Sequence, residues 1–312
     1  MMPHDTKSLL ASFRDEEVKK LRIIESYVYD ARSNYVPLHR EAREGMTASG
    51  ALDWAAVNTG VHVAAMELMI GALEVQLSEL RSQFPTVSSV LVSANQWVTD
   101  IGGPHREIVT DIRGVLTELF QESHYVGAIE PALYPRRQIA GVVRKGVVSW
   151  HAHLLAWGAD RGRLDNALSA LNEKTEGPLY GVPPASMRSR SWKTASNCIG
   201  YFLKTPAKSY STRRIAERID PQTGEISPEH DRQYAQRLRP GEHIHLRNIL
   251  RDFTLDDLLL FGGTGRELVA PMRHKMSRDR RHYQQRRRQW PLSGYSSKLP
   301  IAVAPSRIMS LR

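Results

Sequence analysis

Two short stretches of the chain carry residue types from which chemistry can be built. The first is Val148-Ser149-Trp150-His151-Ala152-His153-Leu154-Leu155-Ala156-Trp157-Gly158. Its apolar residues predict a strand, where side chains alternate between faces, so His151 and His153 point the same way one pleat apart. Two imidazoles at that spacing can bind one divalent cation. Glu130 ends another stretch of strand character, Tyr125-Val126-Gly127-Ala128-Ile129. If that strand lies beside the histidine strand, its carboxylate supplies a third ligand. An oxygen donor beside two nitrogens suits Mg2+ or Mn2+ better than an all-nitrogen set. The plainer alternative is two packed histidines and a surface glutamate before a turn at Pro131.

The second stretch is Cys198-Ile199-Gly200-Tyr201-Phe202-Leu203-Lys204-Thr205-Pro206-Ala207-Lys208. On a helix Tyr201 and Lys204 share a face, and Lys208 follows one turn later if the helix survives Pro206. A tyrosine can attack a phosphodiester to form a covalent ester, and a lysine beside it can position the phosphate as a point charge. A competing pair, His243-Ile244-His245, follows Pro240-Gly241 and reads as the start of a helix. There the two rings point to different sides, which predicts a surface location.

The elements that must hold these residues follow from periodicity. Residues 1–85 read as helical: Val63, Met66, Ile70, Leu73, Leu77 and Leu80 recur at spacings of three and four between Val61 and Leu80. The apolar stretch Val61 to Leu73 is interrupted by Glu67 and is shorter than the ~20 residues that span a bilayer. After Pro85 the texture changes. A strand is predicted at Ser89 to Ser93. A helix then opens at Pro104, with Ile108, Ile112, Val115, Leu116 and Leu119 as its stripe. Strands follow at Tyr125 to Ile129, ending at Glu130-Pro131, and at Gly146 to Trp157. Leu164 to Leu171 reads as helix, Gly177 to Ser191 as loop, and Trp192 to Lys204 as helix. The pattern predicts an α+β fold: an antiparallel β-sheet flanked by helices, with added N-terminal helices and a basic C-terminal helical tail. The expected division is a helical region at 1–85, a catalytic domain at 86–215, and a helical, basic DNA-binding region at 216–312.

Composition narrows the class of partner. The 312 residues include 43 Lys and Arg against 33 Asp and Glu, a net charge of +10, which suits a protein that meets polyanions. The one cysteine, Cys198, excludes an intrachain disulfide framework and any zinc site built from several thiolates, and fits a reducing cytoplasm. The start, MMPHDTKSLLASFRDEEVKK, has no apolar signal core. Arg273 to Trp290 reads RHKMSRDRRHYQQRRRQW, in which Arg280, Arg281, Arg286, Arg287 and Arg288 can neutralise phosphates while Tyr283 and Trp290 stack on bases.

Taken in order, Glu130, the strand with His151 and His153, and the helix with Tyr201 and Lys204 resemble the His-hydrophobic-His endonucleases. Within these the match is to the rolling-circle replication initiators of plasmids and phages, over residues 87–210. No second tyrosine lies three or four residues from Tyr201, so the single-tyrosine type fits, and Tyr210 is nine residues away. The stretch Ser89 to Asn95 departs from the Thr-rich apolar strand that opens such domains. The resemblance implies a compact antiparallel sheet flanked by helices, and an enzyme that nicks single-stranded DNA at an origin. It implies Tyr201 as the nucleophile that stays joined to the 5′ phosphate, Lys204 as its assistant, and His151, His153 and Glu130 as ligands of Mg2+ or Mn2+. Lys208 and the arginines of the tail would contact DNA. Origin DNA, a host helicase and a host polymerase are the implied partners in a bacterial cytoplasm, with no membrane. Two alternatives stay open: a transposase or relaxase with the same chemistry, and a non-enzymatic basic DNA-binding protein. No Gly-rich loop followed by Lys-Ser/Thr occurs, which argues against a fused helicase.

Overall fold

The structure, a computed structural model, describes residues 3–29, 38–46, 54–139, 142–206 and 208–289. Its centre is a long hairpin of β3 (His124–Ile139) and β4 (Val142–Trp157), which pair antiparallel from His124↔Trp157 to Ile139↔Val142. On the free edge of β4 lie β1 (Val87–Val92) and then β5 (Ala185–Arg190), with the short β2 (Val98–Asp100) further along the same edge. On the free edge of β3 lie β6 (Lys208–Ile215) and then β9 (His230–Arg237), with β10 (Leu259–Gly262) pairing β3 nearer its start. Among the described residues, only β3 and β6 run parallel. A separate two-stranded ladder joins β7 (Arg218–Ile219) to β8 (Ile226–Ser227).

Helices cover both faces, each because one stripe of its sequence is apolar. α4 (His105–Leu119) starts after Pro104 and buries Ile108, Val109, Ile112 and Leu116, the three-to-four spacing of one helical face. With Trp150, Ala152, Leu154, Ile129 and Leu133 these side chains form one core. That core also takes in Leu164 and Leu168 of α5 (Arg161–Lys174) and Leu246, Ile249 and Leu250 of α7 (Pro240–Leu250). The opposite face carries a second core, built by α3 (Thr59–Gln83), α6 (Ala195–Leu203) and α9 (Gly265–Gln289) against Val126, Ala128, Leu155 and Trp157. α1 (Pro3–Tyr29) packs over α3 and α6 on this side. α2 (Arg40–Gly45) and α8 (Leu255–Leu258) are short connecting turns.

Several expectations are corrected by these elements. β3 does not end at Glu130. It runs through Pro131 because its outer edge is paired to β10 only over Tyr125–Ala128 and to β6 from Leu133, so a missing N–H at 131 falls between ladders. The loop expected at Gly177 to Ser191 contains β5, whose Ala185 and Met187 face a core while Ser186, Arg188 and Arg190 face outward. Residues 216–289 are not helical throughout, since β9 and β10 join the main sheet. α3 is longer than the apolar stretch suggested. By length and composition it could cross a membrane, but Ala65, Met66, Met69, Ile70 and Leu73 are buried in the second core.

Candidate active site

Glu130 on β3 stands directly opposite His151 on β4, and Ala128 stands opposite His153. Cross-strand partners share a face, so the pleat brings the carboxylate and both imidazoles to the side covered by α6. Glu130 and His151 sit where the hairpin has no paired neighbour on either edge among the described residues, and His153 lies just inside the ladder with β1. β4 is paired to β1 from Ala152 onward and to β2 up to Ser149, and β3 changes partner between Ala128 and Leu133.

These three side chains are the one group among the described residues with metal-ligand geometry, their ligand atoms all lying within 4.8 Å of one another. Bonds of ~2.1 Å give ligand separations of roughly 3 to 4.2 Å around an octahedral ion, so a small side-chain adjustment closes the set. The chemistry of the donors fits a cation. Glu130 Oε1 is buried without a hydrogen-bond partner, an expensive condition for an acceptor unless a cation meets it. Burial pushes the Glu130 carboxyl up to about 8, against the pull of Lys204 and Lys20. Burial also drives His151 down to about 4. His153 is held well below its ordinary value by burial, then by His151 and Lys204. Both rings are therefore neutral at pH 7, with a lone pair to offer. His151 Nδ1 lies 3.5 Å from the Ser149 carbonyl, which directs Nε2 toward the cluster. The cluster can thus hold a metal ion.

α6 delivers the tyrosine. Ala195, Ile199, Phe202 and Leu203 form its buried stripe, and Tyr201 falls off that stripe, remaining 46% exposed. Its ring stands edge-on to His153 with centroids 4.9 Å apart, and the His153 and His151 rings are themselves 4.8 Å apart. Lys204 Nζ lies 3.8 Å from the centroid of the Tyr201 ring, a cation–π contact. Burial pushes the Tyr201 phenol up to about 12, helped by the negative potential of Glu130 and by Tyr210. Burial lowers the Lys204 ammonium, an effect opposed by Glu130 and reinforced by Lys208 and Lys20. The site is thus an exposed phenol and an ammonium beside three side chains that could hold a cation.

The structure brings Glu130, His151 and His153 together and sets Tyr201 and Lys204 beside them; spacing placed each pair on one face, and the meeting of the two sets was implied by the resemblance alone. Lys208 arrives by another route: α6 ends at Leu203, and Lys208 opens β6 as an exposed residue. Arg281 is exposed on α9, whereas Arg280 is half-buried with its Nε below the surface. The side chains of Arg286, Arg287 and Arg288, together with Trp290, lie outside the described residues. His243 is not a surface residue: it is 4% exposed and burial drives it down to about 4, while His245 is half-buried.

Sequence reasoning missed two contributions to this face. Arg188 and Arg190 on β5 stand in register with Ser89 and Val87, which in turn face Leu155 and Trp157, so both arginines lie exposed on the histidine side of the sheet. The alternation of Ala185 and Met187 with Ser186, Arg188 and Arg190 was the available signal. Glu17 and Lys20 of α1 are the second contribution, and no local pattern could have revealed them. No family model matches the chain, and neither a curated protein nor a solved structure matches it.

Proposed function

We propose that this protein is a metal-dependent nicking and joining enzyme of single-stranded DNA, of the rolling-circle initiator type. The observation that carries the reading is the meeting of Tyr201 and Lys204 with the Glu130, His151 and His153 cluster. Glu130 and Tyr201, 71 positions apart in the chain, meet at His151 and His153. Glu130, His151 and His153 would hold Mg2+ or Mn2+. When bound, the ion supplies the charge that polarises a phosphate and opposes the cost of forming a phenolate beside a carboxylate.

The chain's own residues define the rest of the reaction. Tyr201 Oη gives up its proton and attacks the scissile phosphorus. An O–P bond forms, the bond from phosphorus to the 3′ oxygen breaks, and that oxygen leaves as a 3′ hydroxyl after taking a proton. The 5′ phosphate stays esterified to Tyr201, and attack by a 3′ hydroxyl reverses the step. Lys204, above the phenol ring, offsets charge on the phosphate. Exposed Lys208, Arg188 and Arg190 on the same side of the sheet give the strand a cationic path. Their service is to affinity, and it weakens with salt.

The test is covalent capture. The protein is mixed with labelled single-stranded oligonucleotides from its own replicon and Mn2+, and denatured complexes are separated by size. A protein–DNA band that disappears with EDTA, with Tyr201→Phe and with His151→Ala supports the proposal. No band on any origin strand, from a protein that still shifts DNA in a native gel, replaces it with a non-enzymatic DNA binder.

A further inference from the structure

We infer that α1 is a strap that fixes Lys204, and through it the ring of Tyr201, by gripping Thr205; the inference rests on the roles just proposed for those two residues. α6 ends at Leu203, and Lys204 is already extended (φ −72°, ψ 150°). A residue at that position has no helical hydrogen bond of its own to hold it. Its long side chain nevertheless lies over the tyrosine ring, so the backbone on either side must supply the order.

On the far side is Thr205, which is 3% exposed. Its hydroxyl donates to Glu17 Oε2 at 2.5 Å and accepts from Lys20 Nζ at 3.2 Å. Its carbonyl accepts from the same Nζ at 2.9 Å. Glu17 and Lys20 also pair with each other, at 0% and 6% exposure. On the near side, the Leu203 carbonyl lies 2.7 Å from His62 Nδ1, and the other nitrogen of that ring lies 2.7 Å from the Ala56 carbonyl. Burial lowers the His62 pKa, and the ring spans the Leu203 and Ala56 carbonyls, whereas α1 holds Thr205 through both its hydroxyl and its carbonyl.

Net stability is a poor reason for such a pair. Desolvating two charges consumes most of their attraction, and apolar replacements of buried pairs are often neutral. Orientation is the better reason. All of the unpaired hydrogen-bonding capacity of Glu17 and Lys20 that the structure accounts for is directed at one residue, adjacent to Lys204. Glu17, Lys20 and Thr205 are thus positioning residues that reach substrate only through Lys204.

The experiment uses the full chain and two readouts. The first is the rate at which Lys204 is acetylated by limiting acetic anhydride, read by peptide mass spectrometry, which needs no enzymatic activity. The second is the rate of covalent adduct formation with the origin oligonucleotide and Mn2+. Thr205→Val is near-isosteric and leaves every charge in place. It is expected to raise Lys204 acetylation severalfold and to slow the adduct roughly 10- to 100-fold, the scale of a small misplacement. Mn2+-induced stabilisation and oligonucleotide binding are expected to stay within about twofold, and Thr205→Ser to restore both rates. Glu17→Met with Lys20→Met removes the grip while replacing the ion pair with apolar volume, and is expected to act in the same direction. Unchanged Lys204 acetylation in both variants overturns the strap. Raised acetylation with an unchanged adduct rate overturns its service to the chemistry. Raised acetylation in a protein whose wild type forms no adduct keeps the strap and overturns the nicking reaction.

Discussion

Replacing Glu130 with glutamine separates what this residue does to the empty protein from what it does for a metal. Burial pushes the carboxyl from 4.5 to about 8, so at pH 7 it is protonated in the folded, metal-free chain and ionised in the unfolded one. A folded pKa above the unfolded value contributes stability that is full below pH 4.5 and declines as pH rises, levelling off above about 8. At ~1.36 kcal/mol per pH unit from 4.5 to 7, the decline is about 3 kcal/mol. Glutamine has no proton to lose and is free of this decline. With an unfolding entropy of ~2.1 cal/mol/K per residue over 312 residues, about 3 kcal/mol is roughly 5 °C in Tm. In EDTA, Glu130→Gln is therefore expected to gain about 5 °C on the wild type between pH 4.5 and 7. With Mn2+ at about a thousandfold excess over Kd the order reverses. The wild type gains ~4.1 kcal/mol, more than its deficit of about 3 kcal/mol, while the variant, lacking its anionic ligand, gains little. Scanning calorimetry at pH 5, 7 and 8.5, with and without metal, reads both effects. A variant less stable than wild type in EDTA by the same margin at every pH would show that Glu130 is ionised against a protein partner, and the argument for an orphan metal ligand would fall.

Metal affinity carries the same signature, because both imidazoles are neutral at pH 7 and only Glu130 must lose a proton. Between pH 6 and about 8 the apparent Mn2+ affinity should rise close to tenfold per unit, with about one proton released in calorimetry; a flat profile removes Glu130 from the ligand set. Tyr201→Phe should abolish the covalent adduct while leaving Mn2+-induced stabilisation intact, whereas His153→Ala should lose both; thermal shift and adduct assays run in parallel separate the two roles. Gly127→Ala places a Cβ against the His153 carbonyl on the neighbouring strand. It should force β3 and β4 apart, weakening metal retention and stability together, so wild-type Mn2+ affinity in a folded Gly127→Ala protein contradicts the close approach. Ile112→Ala, at a fully buried position, should cost ~2–5 kcal/mol without changing metal affinity, measured by denaturant unfolding; a shift in metal affinity would mean that the two cores are not independent.

What the sequence disclosed, it disclosed through period. His151 and His153 could be placed on one face because strand geometry has a period of two, and the apolar residues flanking them were enough to put that strand at the centre of the sheet. Helix α4 was legible for the same reason. The central hairpin was only half legible. Pro131 reads as a strand breaker, and nothing local could say that the edge at 131 faces a gap between β10 and β6. Position 135 is passed by leaving it unpaired opposite Gly146, whose φ of +65° suits a residue without a Cβ. The strands β6 and β9 escaped because their side chains are mixed or polar on both faces, and β10 because four residues, Leu259–Gly262, are too few to show a period. Their pairing is chosen by the chain they meet, and intrinsic preference in a strand is weak.

The site divides along the same line. Its ligands come from neighbouring strands, whose register follows from alternation, and were accessible. The parts that tune it, Lys20 toward Glu130, Tyr210 toward Tyr201, and Glu17 toward Thr205, join elements through packing alone, which no spacing rule encodes. The misreading of His243 has this origin too. On α7 the ring is carried into the interior, 4% exposed, beside Arg247, whose guanidinium is buried and bound to the Val57 carbonyl. Burial lowers the His243 pKa first, and Arg247, Lys20 and Arg237 lower it further, while Glu17 is the carboxylate felt by Arg247. These groups come from α1, β9 and α7, so the environment that makes His243 an interior residue is assembled by packing and leaves no trace in the spacing of His243 and His245.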